Sequence, residues 1–181
     1  MSSTPTYLID IVGRAIPVVL SIFLLAACGP SEIQFAVKHL RDKAGAQIPE
    51  TISYTQEAGL DNSAGTAPLQ VQIQFERNYK YQIIQRLQSS ELSGKRVEDK
   101  IVELYKLPPN DPQGTVQKAL CPISVVIPPG KKASITVEWT ERWAEGVINE
   151  GAQGEGKRLG TFEVFLGYNE PCSLVNQENA D

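Results

Sequence analysis

The sequence predicts an all-β fold, an antiparallel immunoglobulin-like sandwich. Three observations carry this reading. Apolar and polar residues alternate strictly over several short windows, Gly 14 and Pro 12 are plentiful for 181 residues, and turn-forming clusters separate the windows at near-regular intervals. An apolar content of 41% is ordinary for one folded domain.

In chain order, residues 15–27 come first: thirteen uncharged residues ending in Ala26-Ala27, preceded by Arg14 and followed by Cys28-Gly29-Pro30. That is the composition of a signal-peptide core. As a helix it spans about 20 Å, short of the roughly 30 Å hydrocarbon core of a bilayer. Extension backwards buries Arg14 and Asp10, and Gly29-Pro30 blocks extension forwards. The competing reading is a retained transmembrane helix kinked at Pro17. Leu25-Ala26-Ala27-Cys28 resembles the lipobox of bacterial lipoproteins, a likeness that covers about thirty residues. It implies diacylglycerol on the Cys28 thiol, cleavage just before it, and a membrane-anchored protein of the cell envelope facing the periplasm or the cell exterior. The leader departs from the family pattern in being longer and less basic, with Asp10 and only Arg14. Two or three acyl chains, at ~0.8 kcal/mol per buried CH₂, suffice for stable anchoring.

Removing 27 of the 181 residues leaves 154, and the expected organisation is a signal peptide (1–27), a lipid-anchored segment (28–48), a sandwich domain (49–175) and a polar tail (176–181). With Cys28 assigned, Cys121 and Cys172 are the remaining thiols in a compartment that permits disulfides, and pairing them is the default. Such a loop of about fifty residues contributes about 4 kcal/mol on the chain-entropy model. The alternatives are two buried free thiols or metal ligation, for which two cysteines and the distant His39 form a poor zinc set.

Residues 31–47 read two ways. Ile33, Val37, Leu40 and Ala44 repeat at helical spacing, with Ser31 as a cap, while Ile33, Phe35 and Val37 also alternate. Thr51-Ile52-Ser53-Tyr54 is a short first strand, and residues 61–66 form a turn by composition. Leu69, Val71, Ile73 and Phe75 alternate with Gln70, Gln72, Gln74 and Glu76, a half-buried strand that a turn at Arg77-Asn78 joins into a hairpin with residues 79–84. Residues 100–107 read as a strand apolar on both faces, ended by Pro108-Pro109. After Cys121, residues 123–127 and 135–139 alternate around Pro128-Pro129-Gly130, a second hairpin with Trp139 as the core aromatic. Residues 147–159 read as a long flexible excursion, and Phe162, Val164, Leu166 and Tyr168 alternate into a last strand.

The run from Ile127-Pro128-Pro129-Gly130 through Ile135–Trp139 and a Gly-rich loop to Gly160-Thr161-Phe162-Glu163-Val164 is similar in layout to the BsuPI-type intracellular proteinase inhibitor domain. The likeness covers about forty residues and transfers no functional residue. Gly65-Thr66-Ala67-Pro68-Leu69 also resembles the opening of PKD-type domains.

The chemistry expected of these residues is recognition. The single His39 stands near no nucleophile motif, which argues against a hydrolytic triad and for a chain that is not an enzyme. Glu138, Glu141 and Glu145 are acidic, but Glu138 sits on the polar face of an alternating strand. Residues 149–156 lack the dense spacing that wraps calcium, and their glycines lack the strand-to-helix setting of a phosphate loop. No cofactor or metal is expected. Net charge −4 without a basic cluster argues against a nucleic-acid partner. Phe165 falls opposite Phe162, Val164 and Leu166, so a two-layer sandwich leaves it outward unless a neighbour, residues 33–40 for example, covers it. Phe165, Trp143, Asn149 and Glu150 are therefore the candidate partner-binding residues. The expected function is a non-catalytic protein-binding or structural module of the envelope; the alternatives are a ligand- or carbohydrate-binding sandwich using Tyr79, Tyr81 or Trp143, and a surface proteinase inhibitor.

Overall fold

The computed structural model describes residues 33–109 and 113–181; the expected signal peptide, the lipobox-like Leu25-Ala26-Ala27-Cys28 and the expected lipidation of Cys28 lie outside the described residues. Among the described residues, seven strands and one α-helix follow in order, with a short 3-10 turn at Ala58–Leu60: β1 (Phe35–Ser53), β2 (Leu69–Tyr79), β3 (Gln82–Leu87), α1 (Gly94–Tyr105), β4 (Gln117–Ile127), β5 (Lys132–Glu150), β6 (Arg158–Tyr168) and β7 (Ser173–Ala180). They build two antiparallel sheets. The larger has the order β1-β5-β6-β3, with β7 also on β5; the smaller is β2-β4. The antiparallel all-β sandwich expected from alternation is therefore the architecture of the chain.

β5 organises the molecule. Its nineteen residues pair with β1 along nearly their whole length, while β7 takes its first half on the other edge and β6 its second. Along the first half, Ala133, Ile135, Val137 and Trp139 are buried at period two. They form one core with Ile73 and Phe75 of β2 and Ala119, Cys121, Val125 and Ile127 of β4, each aliphatic contributing about 1.5–3 kcal/mol by its removal from water. Along the second half Ala144, Gly146 and Ile148 are buried on the opposite face, with Val147 the one buried residue of the first face there. There the cover is α1, which lies against β1 and β3, buries Val97, Ile101 and Val102, and sets Tyr105 edge-on to Phe162. The sheet is thus covered on one face by strands and on the other by a helix, at opposite ends.

Several local expectations give way. Of the two readings of residues 31–47, the strand is realised: β5 offers a ladder longer than residues 49–53 alone can fill, and β1 runs through residue 48 to supply it. Residues 100–107, expected as a strand, are instead the second half of α1 as far as Tyr105 and its C-terminal cap, and Val97, Ile101 and Tyr105 share one helical face; Lys106 ends the helix with φ 53°. Neither expected hairpin forms. β2 pairs β4 and β3 pairs β6, so the chain changes sheet at Lys80-Tyr81, and Arg77-Asn78 lacks the glycine that a tight hairpin turn favours. β4 and β5 likewise meet through their buried faces, with Pro128-Pro129-Gly130 arching from one sheet to the other. The polar tail is mostly strand, since β7 is held by its backbone ladder and leaves nearly every side chain exposed.

Cys121 and Cys172 form a disulfide, Cα atoms 5.4 Å apart and 51 residues apart in sequence, inside the strand-covered core. Trp139 is fully buried, and its indole N–H donates to Glu50 Oε2 at 2.8 Å. Arg77 pairs with the same carboxylate at 3.6 Å and lies over the Tyr168 ring.

Candidate functional site

Where β5 leaves the cover of β2-β4, the strand-facing side of the sheet ends in an aromatic cluster. Phe165 sits beside Trp143 in the β5–β6 register, ring centroids 5.2 Å apart. Tyr79 and Tyr168 close on the same ring edge-on at 5.8 and 5.5 Å. Phe165 does point away from Phe162 and Val164, as its parity requires, but it is 4% exposed. Its cover is Tyr79, Trp143 and Tyr168; of residues 33–40, those from Phe35 onward lie instead on β1, which pairs with β5 on the edge opposite β6.

Trp143 is half-buried and lines a shallow groove of about 260 Å³ with Asp42, Lys43, Glu141, Arg142 and Asn169. A bulge in β1 between Ala44 and Gln47 shapes its wall: the Gly45 backbone approaches the indole so closely that a Cβ there meets Trp143 Cδ1 at 2.6 Å. Glu141 Oε2 accepts the indole N–H at 3.0 Å and the Ala46 backbone N–H at 3.2 Å, which fixes the ring. The groove therefore offers an oriented aromatic ring with acidic, basic and amide groups at its rim, the composition of a recognition surface.

Asn149 and Glu150 lie six or seven residues further along β5, about 20 Å away at strand rise, and do not join this groove. They belong to the turn into β6. That turn is short and tied down, in contrast to the long flexible excursion expected: β5 runs to Glu150 and β6 begins at Arg158. Glu150 N–H donates to the Lys157 carbonyl at 2.9 Å, and Gly151 N–H to that of Gln34 at 2.9 Å. Asn149 Nδ2 and Lys38 Nζ both donate to the Gly154 carbonyl. Gly151 and Gly154 adopt φ 92° and 68°, conformations glycine takes without strain.

The remaining candidates are dispersed. His39 shares a hydrogen bond of 2.9 Å with Tyr105 Oη; burial, helped by the nearby Asp42 charge, pushes that phenol up to about 12. Glu145 is held below the usual carboxylate range by the hydrogen bond from Arg41 at 2.6 Å, with Lys43 adding to it. Glu138 faces opposite to Glu141 and Glu145, so the three carboxylates do not converge. Among the described residues no group of three or more His, Cys, Asp or Glu could hold a metal ion, and no helix is long and apolar enough to cross a membrane. Sequence reasoning missed the clamp of Glu141 on Trp143, because the two-residue spacing that puts both on one face was visible but the β1 bulge completing it was not.

No family model and no curated protein matches the chain. Among solved structures it is similar to a crystal structure from Bacteroides vulgatus ATCC 8482 described as a candidate pore-forming toxin, at 12% identity and a TM-score of 0.44, over 81% of this chain and 56% of that one. The chain thus spans little more than half of that protein's length.

Proposed function

We propose that this chain is a non-catalytic lipoprotein, held to a membrane by acyl chains on Cys28, whose sandwich binds a partner protein of the cell envelope at the Trp143 groove. The observation that carries the reading is the Cys121–Cys172 disulfide. It accounts for two of the three cysteines, it is a bond characteristic of oxidising compartments, and the cysteine it leaves is the one that follows Leu25-Ala26-Ala27. The groove supplies the recognition half: an aromatic ring held by a carboxylate, rimmed with both signs of charge.

Intact-mass analysis of the protein from native membranes tests the anchor. Residues 1–27 should be missing and two or three acyl chains present, and Cys28→Ser should abolish both processing and incorporation of a labelled fatty acid. A native protein that retains residues 1–27 without acyl groups overturns the reading. For the groove, crosslinking in intact membranes should give one stoichiometric adduct that Trp143→Ala removes. A carbohydrate ligand is a second reading, favoured by the half-buried indole; it expects Trp143 fluorescence to shift on titration with some member of a glycan panel.

A further inference from the structure

Phe35 opens β1, opposite Glu150 at the end of β5. The turn beyond Glu150 is tied back to the Gln34 carbonyl. Arg158 opens β6 beside Asn149, and β3 ends with Leu87 opposite Gly160. Four strand ends therefore share one end of the large sheet, neighbours about 4.8 Å apart. Cys28 precedes Phe35 by seven residues, and a chain of that length reaches at most about 25 Å. If Cys28 carries the anchor, this end of the sandwich cannot stand further than that from the leaflet.

At the same end, a groove of about 440 Å³ opens between the start of β6 and the segment after β3, lined by Ser89, Ser90, Glu91, Lys157 and Arg158 among others. Several cations elsewhere are held by carboxylates: Arg41 by Glu145, Arg86 by Glu163, Lys118 by Glu76 and Lys132 by Asp61. Lys157 and Arg158 are exposed, and neither forms an ion pair among the described residues. Ser89 Oγ already accepts the Glu91 backbone N–H at 3.3 Å, which leaves its O–H to donate. Two uncommitted cations and two hydroxyls in one groove suit a phosphodiester, whose oxygens only accept. Glu91 suits a substituent that donates.

We propose that the Ser89–Ser90–Lys157–Arg158 groove rests on the membrane and takes the headgroup of an anionic phospholipid of the phosphatidylglycerol kind, its phosphate on Lys157 and Arg158 and a glycerol hydroxyl on Glu91. This rests on the lipoprotein reading, and it adds an orientation: the sandwich stands with the β6 start down and the Pro128-Pro129-Gly130 arch away from the lipid.

The test uses the full acylated protein, its intact mass verified on the same sample, in vesicles of phosphatidylcholine with or without 30 mol % phosphatidylglycerol (about that fraction gives a strongly anionic surface). Amine labelling read by mass spectrometry reports each lysine. Lys157 should be labelled about fivefold more slowly in the phosphatidylglycerol vesicles, the factor that one basic residue contributes near an anionic leaflet, while Lys131 and Lys132 at the opposite end stay unchanged. Arg158→Glu should abolish the difference. Equal labelling of Lys157 in both vesicles, protection that survives Arg158→Glu, or equal protection by inorganic phosphate in detergent each overturns the proposal. A sample that lacks acyl chains overturns the lipoprotein reading instead, and the mass spectrum distinguishes the two failures.

Discussion

Replacing Asn62 with Ala should unfasten the arch that carries the chain from one sheet to the other. Asn62 is 7% exposed, and its Nδ2 donates to the carbonyls of Ala67, Ile127 and Pro128 at 3.0, 3.0 and 3.1 Å. Its own backbone N–H donates to Lys131 O, and its carbonyl accepts from Gly65 and Gly130. The loop is built around this side chain, since a Cβ on Gly65 falls 1.7 Å from Asn62 Oδ1. Truncation removes about two net hydrogen bonds at about 0.5–1.5 kcal/mol each and leaves the buried Ile127 carbonyl without this donor, for a total of about 2–4 kcal/mol. A domain of this size then melts about 5–12 °C lower. Urea unfolding followed through the buried Trp139 reads the loss. Asn62→Asp sharpens the test, because its carboxylate would face three carbonyl oxygens. Its folded pKa is then raised above the unfolded value of about 3.9. The folded state holds the proton more tightly, so the repulsion is absent below the unfolded pKa and is fully expressed once pH rises through the folded one. The Asp variant should accordingly be far closer to wild type at pH 3.5 than at pH 7. A loss below about 1 kcal/mol for Asn62→Ala, against the bonds counted above, or an Asp variant equally compromised at both pH values, refutes the reasoning.

Two further outcomes are expected. Burial first, then the neighbouring Tyr81, pushes the Tyr79 phenol up to about 12, and its ring contacts Phe165 and Tyr168 edge-on. The neutral phenol is the form the fold prefers, so stability is complete below the ordinary value near 10 and is lost as pH rises through about 12; phenolate absorbance should show late titration from both Tyr79 and Tyr105, of which Tyr79→Phe removes one share and leaves the other. Gly146 lies under the Phe162 ring, where an added Cβ meets Cζ at 2.0 Å and the Lys38 carbonyl at 2.6 Å. Gly146→Ala should therefore cost about 1–3 kcal/mol by displacing the ring toward α1, and thermal unfolding unchanged by the substitution would rule this packing out.

Period-two alternation made the faces of β2, β4, the first half of β5 and β6 as far as Val164 legible, together with Trp139 as a core residue, because one wrong parity would bury glutamines and expose the aliphatics of the same strand; the alternation of Phe162, Val164, Leu166 and Tyr168 did not hold to its end, since an irregularity in the β5–β6 register turns Tyr168 to the Phe165 side. The disulfide was legible too, from the cysteine count together with the expectation of an exported chain. The helix is not legible from residues 100–107 because its face, Val97-Ile101-Tyr105, begins before them, and eight residues cannot separate a buried strand from a helix. At the candidate site, sequence parity correctly turned Phe165 away from Phe162 but could not say what would cover it. Trp143 was visible as an aromatic, whereas the Gly45 bulge and the Glu141 clamp that make it a groove wall were not.

What the sequence determined by itself is therefore local: which residues face inward where alternation is unbroken, the turn at Pro128-Pro129-Gly130, the pairing of Cys121 with Cys172, and a short apolar run before Cys28. Which strand lies beside which was decided only in three dimensions. Alternation specifies a face and leaves the edge open, since every strand presents the same backbone donors and acceptors along it. Long-range packing chose β4 for β2 and β6 for β3 over the adjacent hairpins, gave a polar C-terminus a place on β5, and set the aromatic groove and the basic groove at separate places on one sheet.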